Sequence, residues 1–417
     1  MPPPRAKKSE DLEKVLEITR RMAAAVDLDE LLQLIIDRSI ELLDAERASL
    51  FLYEPQTNEL VSRIALQASE IRFSAETGIA GATIRTGKTI NVPDAHADER
   101  FNPEIDRTTG FRTRSILSVP LRDHQDEIVG VLQVLNKRGG AFAEYDVALA
   151  EALGAQAGVS LQRARLIEHF IRKQEMERAM KIARDIQQGL LPDGAPAIEG
   201  FDVAGFNEPA DETGGDIYDF LALSGGRWML LVADATGHGI GPALVIAETR
   251  AMLRAIGLHG RGVSGILQSA NDLLVTDLGG ERFVTCFLGI LEPRAAAITY
   301  ASAGHGPMLF YTRSSDKFET FASTGVPLGI LPQAEYGKTN RLDFQAGDFL
   351  VIITDGFIEA ENADGEQFGA DRVKELLRRS RDLPAGEMIA NLRRAVAEFT
   401  SGRRQADDLT AVVIRKL

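Results

Sequence analysis

The chain has 417 residues, 44% of them hydrophobic and 26% charged, with a formal net charge of -14. That length suits two or three domains, and the composition argues against general disorder. The acidic balance weighs against a nucleic-acid binder built on a basic surface, the single cysteine, Cys286, excludes an internal disulfide framework and a multi-cysteine zinc site, and no apolar run approaches the ~18 residues of a membrane span. The opening MPPPRAKKSEDLEK has no apolar stretch of the secretory type, so a cytoplasmic location is expected.

Residues 1–26 read as a Pro-rich tail followed by a helix from about Ser9, in which Leu12, Val15, Leu16, Thr19, Met22, Ala23 and Val26 form one stripe at helical spacing. Asp27 reads as a new N-cap, with Glu30 three residues on, and opens an apolar helix to Leu43. Between 48 and 135 the pattern turns to short β-rich runs (ASLFLYE, ELVSRIAL, KTINVPD, SILSVPLR, IVGVLQVLN), with helical segments at 78–86 and 144–161. Strands flanked by helices predict an α+β sensor-type domain over 27–165.

Residues 160–191 form one long helical stretch ended by Pro192. Met176, Ala179, Ala183, Ile186 and Leu190 alternate three and four apart, as coiled-coil core positions do. Leu166, Ile167, Phe170 and Ile171 do not continue that register, so a break falls between them. Either the helix packs on its own domain or 166–191 is a parallel dimeric connector, and the latter predicts a homodimer. Residues 192–417 hold eight strand-like runs and two helical regions, and their order fits a β-sandwich with helices on both faces.

Four of those runs carry aspartate at a strand end or glycine turn: GGDIYD with Asp216 and Asp219, ADATGHG with Asp234, TDG with Asp355, and ADDLT with Asp407 and Asp408. Asp234 and Asp355 follow the apolar runs WMLLVA and FLVIIT. A buried strand ending in a carboxylate sets a charge at the rim of a core, which is costly unless compensated. These motifs contain no matching set of basic residues, and an all-oxygen donor set favours Mg2+ or Mn2+ over zinc. Two such ions hydrolyse phosphate esters without a protein nucleophile. Each motif alone is also an ordinary turn signal; four in this order, each beside an apolar strand, are harder to attribute to turns. Cys286 lies inside the strand-like run FVTCFLG and reads as core.

The series GGDIYD, ADATGHG, ASAGHGP, GVPLGIL, GDFLVIITDGFIEA and DDLTAVVI resembles the metal-dependent protein phosphatase 2C-like (PPM) serine/threonine phosphatases, in their SpoIIE/RsbU branch, and AMKIARDIQQGLLP resembles that branch's lead-in helix. The resemblance implies an α-β-β-α sandwich and a two-metal phosphatase acting on phosphoserine or phosphothreonine, typically of an anti-sigma-factor antagonist protein. It implies Asp234 as the ligand bridging two Mn2+ or Mg2+ ions, with the carbonyl of Ala235, and Asp216, Asp355 and Asp407 completing the set. Asp408 and Asp219 take supporting roles, and Gly237 and Gly239 allow close backbone approach. His238 is either a phosphate contact or structural, and His305 of ASAGHGP is read as structural. No residue matches the phosphate-binding arginine of the eukaryotic enzymes.

The text ETGIAG, TGKTINVPDA, RFNPEID and VLNKRGGAFAEYD resembles a GAF domain. Asn136, Lys137, Phe142 and Asp146 fall close to the Asn-Lys-Phe-Asp-Glu motif of cyclic-nucleotide-binding members, with Val147 where the final Glu would stand. That implies a cyclic nucleotide or another small ligand, with Phe101 as a pocket wall, and leaves open that Lys137 and Asp146 pair with each other as a frame. Two other functions stay open from the sequence: a non-catalytic partner-switch scaffold, and a cyclic-nucleotide sensor with little phosphatase output.

Overall fold

The computed structural model describes residues 5–62, 71–103, 106–107, 110–237 and 239–417. The chain divides into two units, Met1–Glu175 and Met176–Leu417.

In the first unit, α1 (Arg5–Ala24) leads to α2 (Leu28–Leu43), which Asp27 caps by accepting from the Glu30 N–H at 2.9 Å. Strands β1 (Ala45–Glu54), β2 (Glu59–Ser62), β3 (Ile71–Ser74), β4 (Ile90–Val92), β5 (Ile116–Arg122) and β6 (Ile128–Lys137) form one antiparallel sheet in the order β3-β2-β1-β6-β5-β4. Helix α3 (Gly78–Thr86) lies between β3 and β4. Helix α4 runs unbroken from Glu144 to Gln188, joining the segments read over 144–161 and 160–191. Its Ala150, Leu153, Ala157, Leu161 and Ala164 recur at three and four and enter the core beneath the sheet. It lies so close to β5 that a Cβ on Gly158 would sit 2.1 Å from the Arg122 carbonyl oxygen. Of the apolar stripe read over 12–26 only Met22 is buried, joined in this core by Ile18 from outside that stripe, while Leu12, Leu16 and Val26 are exposed. Met176 and Ile186 of α4 are likewise exposed.

The second unit is two packed five-stranded antiparallel sheets with helices outside each. One sheet holds β8 (Asp216–Ala222), β9 (Trp228–Ala235), β10 (Val284–Glu292), β11 (Ala297–Ala303) and β14 (Asn340–Asp343). The other holds β7 (Phe201–Glu208), β12 (Met308–Thr312), β13 (Lys317–Phe321), β15 (Phe349–Ile353) and β16 (Leu409–Lys416). Phe287, Tyr300, Leu350 and Val412 fill the space between the sheets. Helices α5 (Ile240–Gly257) and α6 (Val263–Leu278) cover the first sheet, and α8 (Gly369–Arg379) and α9 (Ala385–Phe399) the second, with the short α7 (Gly356–Glu359) after β15. Cys286 is buried beneath α5 and α6.

Candidate active site

Strand alternation places the aspartates. In β9, Leu231, Ala233 and Ala235 face the helices while Leu230 and Val232 face the opposite sheet, so Asp234 points into the mouth between the sheets. In β8 the same alternation puts Ile217 toward the helices and Tyr218 inward, so Asp216 shares the inner face and is the register partner of Asp234. In the second sheet Leu350 and Ile352 face inward, which sends Thr354 to the same mouth. Val412 and Ile414 do so in β16, which sends Thr410 and Asp408 there too. Asp355 and Asp407 follow and precede these strands at the rim, both exposed.

Hydroxyl and amide groups tie the two sheets together at this end. Thr354 Oγ1 donates to Asp216 Oδ2 at 2.8 Å, and the Thr410 N–H donates to Thr354 Oγ1 at 3.0 Å. Asn207 donates to Thr410 Oγ1 at 2.8 Å. Asp408 is taken up by the backbone: its Oδ2 accepts from the N–H of Gly215 (2.6 Å) and Asp216 (3.2 Å), and its Oδ1 from Ala210 N–H (2.8 Å). The turn that carries Asp216 passes so close to this carboxylate that a Cβ on Gly214 would lie 2.4 Å from Asp408 Oδ2. Gly237 and Gly239 have φ of 94° and 87°, the left-handed region that glycine adopts without strain. The Ala235 N–H donates to the Gly215 carbonyl at 3.0 Å.

Among the described residues, these charges face each other rather than cations. Burial raises the Asp216 carboxyl well above its ordinary range, and Asp234 and Asp408 raise it further. Burial, then Asp355, Asp407 and Asp408, push Asp234 up to about 7. Asp355, exposed as a residue but with its carboxylate partly desolvated against the cluster, is raised by that desolvation and by Asp407, and Asp408 is raised by burial against the backbone donors that hold it. Among the described residues, no lysine, arginine or histidine forms an ion pair with any of these five. Nor do three of the described acidic groups already enclose a single point as metal ligands would. An all-carboxylate set under mutual repulsion at a sandwich rim fits hard divalent cations, which take oxygen donors. A cavity of about 300 Å3 opens beside it, lined by Asp407, Asp408, Thr213, Gly237 and Arg404.

Asp219, expected to support this cluster, does not. It is three residues from Asp216 on an alternating strand, so it faces α5, where Arg254 Nη1 donates to both its oxygens (2.8 and 2.6 Å) and Arg250 Nε lies 2.9 Å away. His238 lies outside the described residues. His305 is buried, with Nδ1 3.1 Å from Thr285 Oγ1, and burial holds its imidazole down to about 4. Thr354, Thr410, Asn207 and Gln187 belong to the site's framework, and none of them reads from the sequence as a site residue. The signal for the two threonines is their position, one step inward from a strand's apolar alternation.

In the first unit, the residues expected around a ligand are engaged internally. Asn136 is buried; its Oδ1 accepts from the Arg114 N–H at 2.6 Å, and its Nδ2 donates to Glu46 and the Arg112 carbonyl. Lys137 pairs with Asp146 at 2.8 Å and donates to the Leu43 carbonyl, while Asp146 also accepts from the Ala143 N–H. Phe142 is in the main core, and Phe101 packs with Ile79, Val92, Ala95 and Ile116. A cavity of about 940 Å3 lies nearby, lined by His96, Asp106, Arg107, Arg112 and Arg114; none of the five expected residues is among its described lining.

Residues 224–417 match the family model of stage II sporulation protein E (SpoIIE), and residues 27–161 match that of the GAF domain. The chain joins a GAF domain to a SpoIIE-family domain. Phosphoserine phosphatase RsbU of Bacillus subtilis is 26% identical over 244 residues, 58% of this chain and 72% of that protein. A dual 3',5'-cyclic-AMP and -GMP phosphodiesterase of Drosophila melanogaster is 33% identical over 181 residues, 39% of this chain, and the match spans only 12% of that protein's length. The SiaA-PP2C domain of Pseudomonas aeruginosa shares the fold, with a TM-score of 0.52 at 21% identity over 58% of this chain and 98% of that domain. None of the described helices is long and apolar enough to cross a membrane.

Proposed function

We propose that the chain is a metal-dependent phosphoserine/phosphothreonine protein phosphatase. The observation that carries this reading is the register pair of buried Asp216 and half-buried Asp234 between two sheets, with Asp355 and Asp407 at its rim and no cation among the described residues paired with it. Asp234 with the Ala235 carbonyl, Asp216, Asp355 and Asp407 hold two Mn2+ or Mg2+ ions. Bound divalent cations supply a water of lowered pKa and neutralise phosphoryl charge. The protein fixes the carboxylates: Thr354 orients Asp216, and Asp408 holds the turn before it. The likeness to phosphoserine phosphatase RsbU supports phosphoserine as the group hydrolysed, and the SpoIIE/RsbU resemblance of the motifs favours a small phosphorylated antagonist of an anti-sigma factor, in the cytoplasm, as its carrier. The test is release of phosphate from such a phosphoprotein with Mn2+, and its suppression by EDTA. A well-folded protein that releases none under either condition is instead a partner-switch scaffold.

The GAF domain supplies regulation by a small ligand, and the likeness to cyclic-nucleotide phosphodiesterases favours a cyclic nucleotide. Calorimetry with cAMP and cGMP tests this; heat with either, and no phosphatase activity, supports the sensor reading. The active species is a homodimer, supported by the exposed apolar positions of α1 and α4.

A further inference from the structure

The last turn of α4 reaches the turn that carries Asp216 through one side chain. Gln187 is buried although Gln188 beside it is exposed. Gln187 Nε2 donates to the Gly214 carbonyl at 2.6 Å, and its Oε1 accepts from the Gly214 N–H at 3.0 Å. Both ends of one planar amide thus engage both polar groups of one residue, as a neighbouring strand would, fixing that residue's place and orientation.

Gly214 is two residues from Asp216, and the next two N–H groups, of Gly215 and Asp216, donate to Asp408. The turn therefore lies between a helix end and a carboxylate, and both of these hold it by its backbone. It has no side chain of its own to grip at Gly214, where a Cβ would meet Asp408. The helix end is itself seated: Leu190 and Leu191, just past it, pack against the apolar clusters of the second unit. Glutamine suits this position because the pairing needs a donor and an acceptor on one group. Glutamate lacks the donor and sets a carboxylate against the Gly214 carbonyl; leucine leaves a buried N–H and C=O both unpaired.

We propose that Gln187 is a positioning residue for the metal site, setting where Asp216 is presented to the cation. This rests on the reading of Asp216 as a metal ligand. In consequence a displacement of the last helical turn is passed to that ligand through the short backbone segment Gly214–Gly215.

The experiment compares full-length wild type, Gln187→Leu, Gln187→Glu, Gln188→Leu and Asp216→Asn. It measures Mn2+ binding by calorimetry, the Mn2+ dependence of turnover, and melting in EDTA. Both Gln187 variants are expected to bind Mn2+ about 10-fold more weakly, the effect of losing a group that orients a metal ligand. Their turnover is recovered at saturating Mn2+, and Gln188→Leu matches wild type. The proposal is overturned if the Gln187 variants melt earlier in EDTA yet bind Mn2+ as wild type does, or if turnover falls and saturating Mn2+ does not restore it. Should Gln187→Leu fail to fold, Gln187→Glu, which keeps the volume and the acceptor, carries the test. Normal Mn2+ binding by Asp216→Asn overturns the ligand assignment itself; lost binding there with unchanged Gln187 variants overturns only the positioning role.

Discussion

Asp216 and Asp234 are register partners, the first residue of one strand set against the penultimate residue of its neighbour. Two carboxylates opposed on one face of a sheet repel each other, an arrangement that opposite charge would favour. Here both are also desolvated, and Asp234 raises the proton affinity of Asp216.

Asp234→Asn is therefore expected to reduce Mn2+-dependent phosphate release by about 100-fold or more while leaving the circular dichroism unchanged. Removing one of the mutually repelling charges also makes the variant melt higher than wild type in EDTA. Near-normal turnover at saturating Mn2+ would refute the assignment of Asp234.

Asp219→Ala separates the two aspartates of GGDIYD. It strands Arg250 and Arg254, whose side chains are 15% and 34% exposed, so the loss is smaller than for a fully buried network. A destabilisation of about 2–3 kcal/mol in urea is expected. Mn2+ affinity stays as in wild type, because the side chain faces α5. A parallel fall in Mn2+ affinity would place Asp219 in the metal site after all.

His305 sets a pH dependence with a definite sign. Its imidazole titrates at about 4 in the fold and near 6.5 when unfolded. Between those values the unfolded chain binds a proton that the folded chain does not, so acidification favours unfolding. The contribution is fully present above pH 6.5 and is lost progressively toward pH 4, by an amount on the order of 3 kcal/mol. Urea unfolding of wild type and His305→Asn in EDTA at pH 7 and pH 5 measures it. The wild-type loss between the two pH values should exceed that of the variant; equal losses would show that His305 is not held neutral.

The exposed stripes predict association. Leu12→Glu with Leu16→Glu, or Ile182→Glu with Ile186→Glu, should convert a dimer to a monomer in sedimentation at micromolar concentration. These side chains are exposed in the single chain, so melting of the second unit changes little. Wild type that sediments only as monomer contradicts the dimer outright.

Much of this site is legible from residue order because strand alternation is a local rule. WMLLVAD places Asp234 on the face of Leu230 and Val232 whatever the rest of the chain does. The same rule applied to GGDIYD separates Asp216 from Asp219, which motif resemblance alone had placed together. Gln187 was beyond reach in the sequence, since its partner Gly214 lies 27 residues on and the contact is to backbone. The Asn136, Lys137 and Asp146 group shows the complementary limit. Its spacing is visible, but whether its polar atoms face a ligand or each other depends on the Leu43 and Arg112 carbonyls. Helix α4 joins the segments read over 144–161 and 160–191 because they overlap with no proline between them, and the break in apolar register near Phe170 changes which face is apolar without interrupting the helix.

The 45 residues of α4 rise about 1.5 Å each. Each residue added or removed turns everything beyond it by about 100°, and seven return nearly to phase after two turns. Sensor modules fused upstream of Met176 are therefore expected to be interchangeable in steps of seven residues. For anyone grafting a foreign receptor onto this phosphatase, the junction's phase is the variable to scan, ahead of its chemistry.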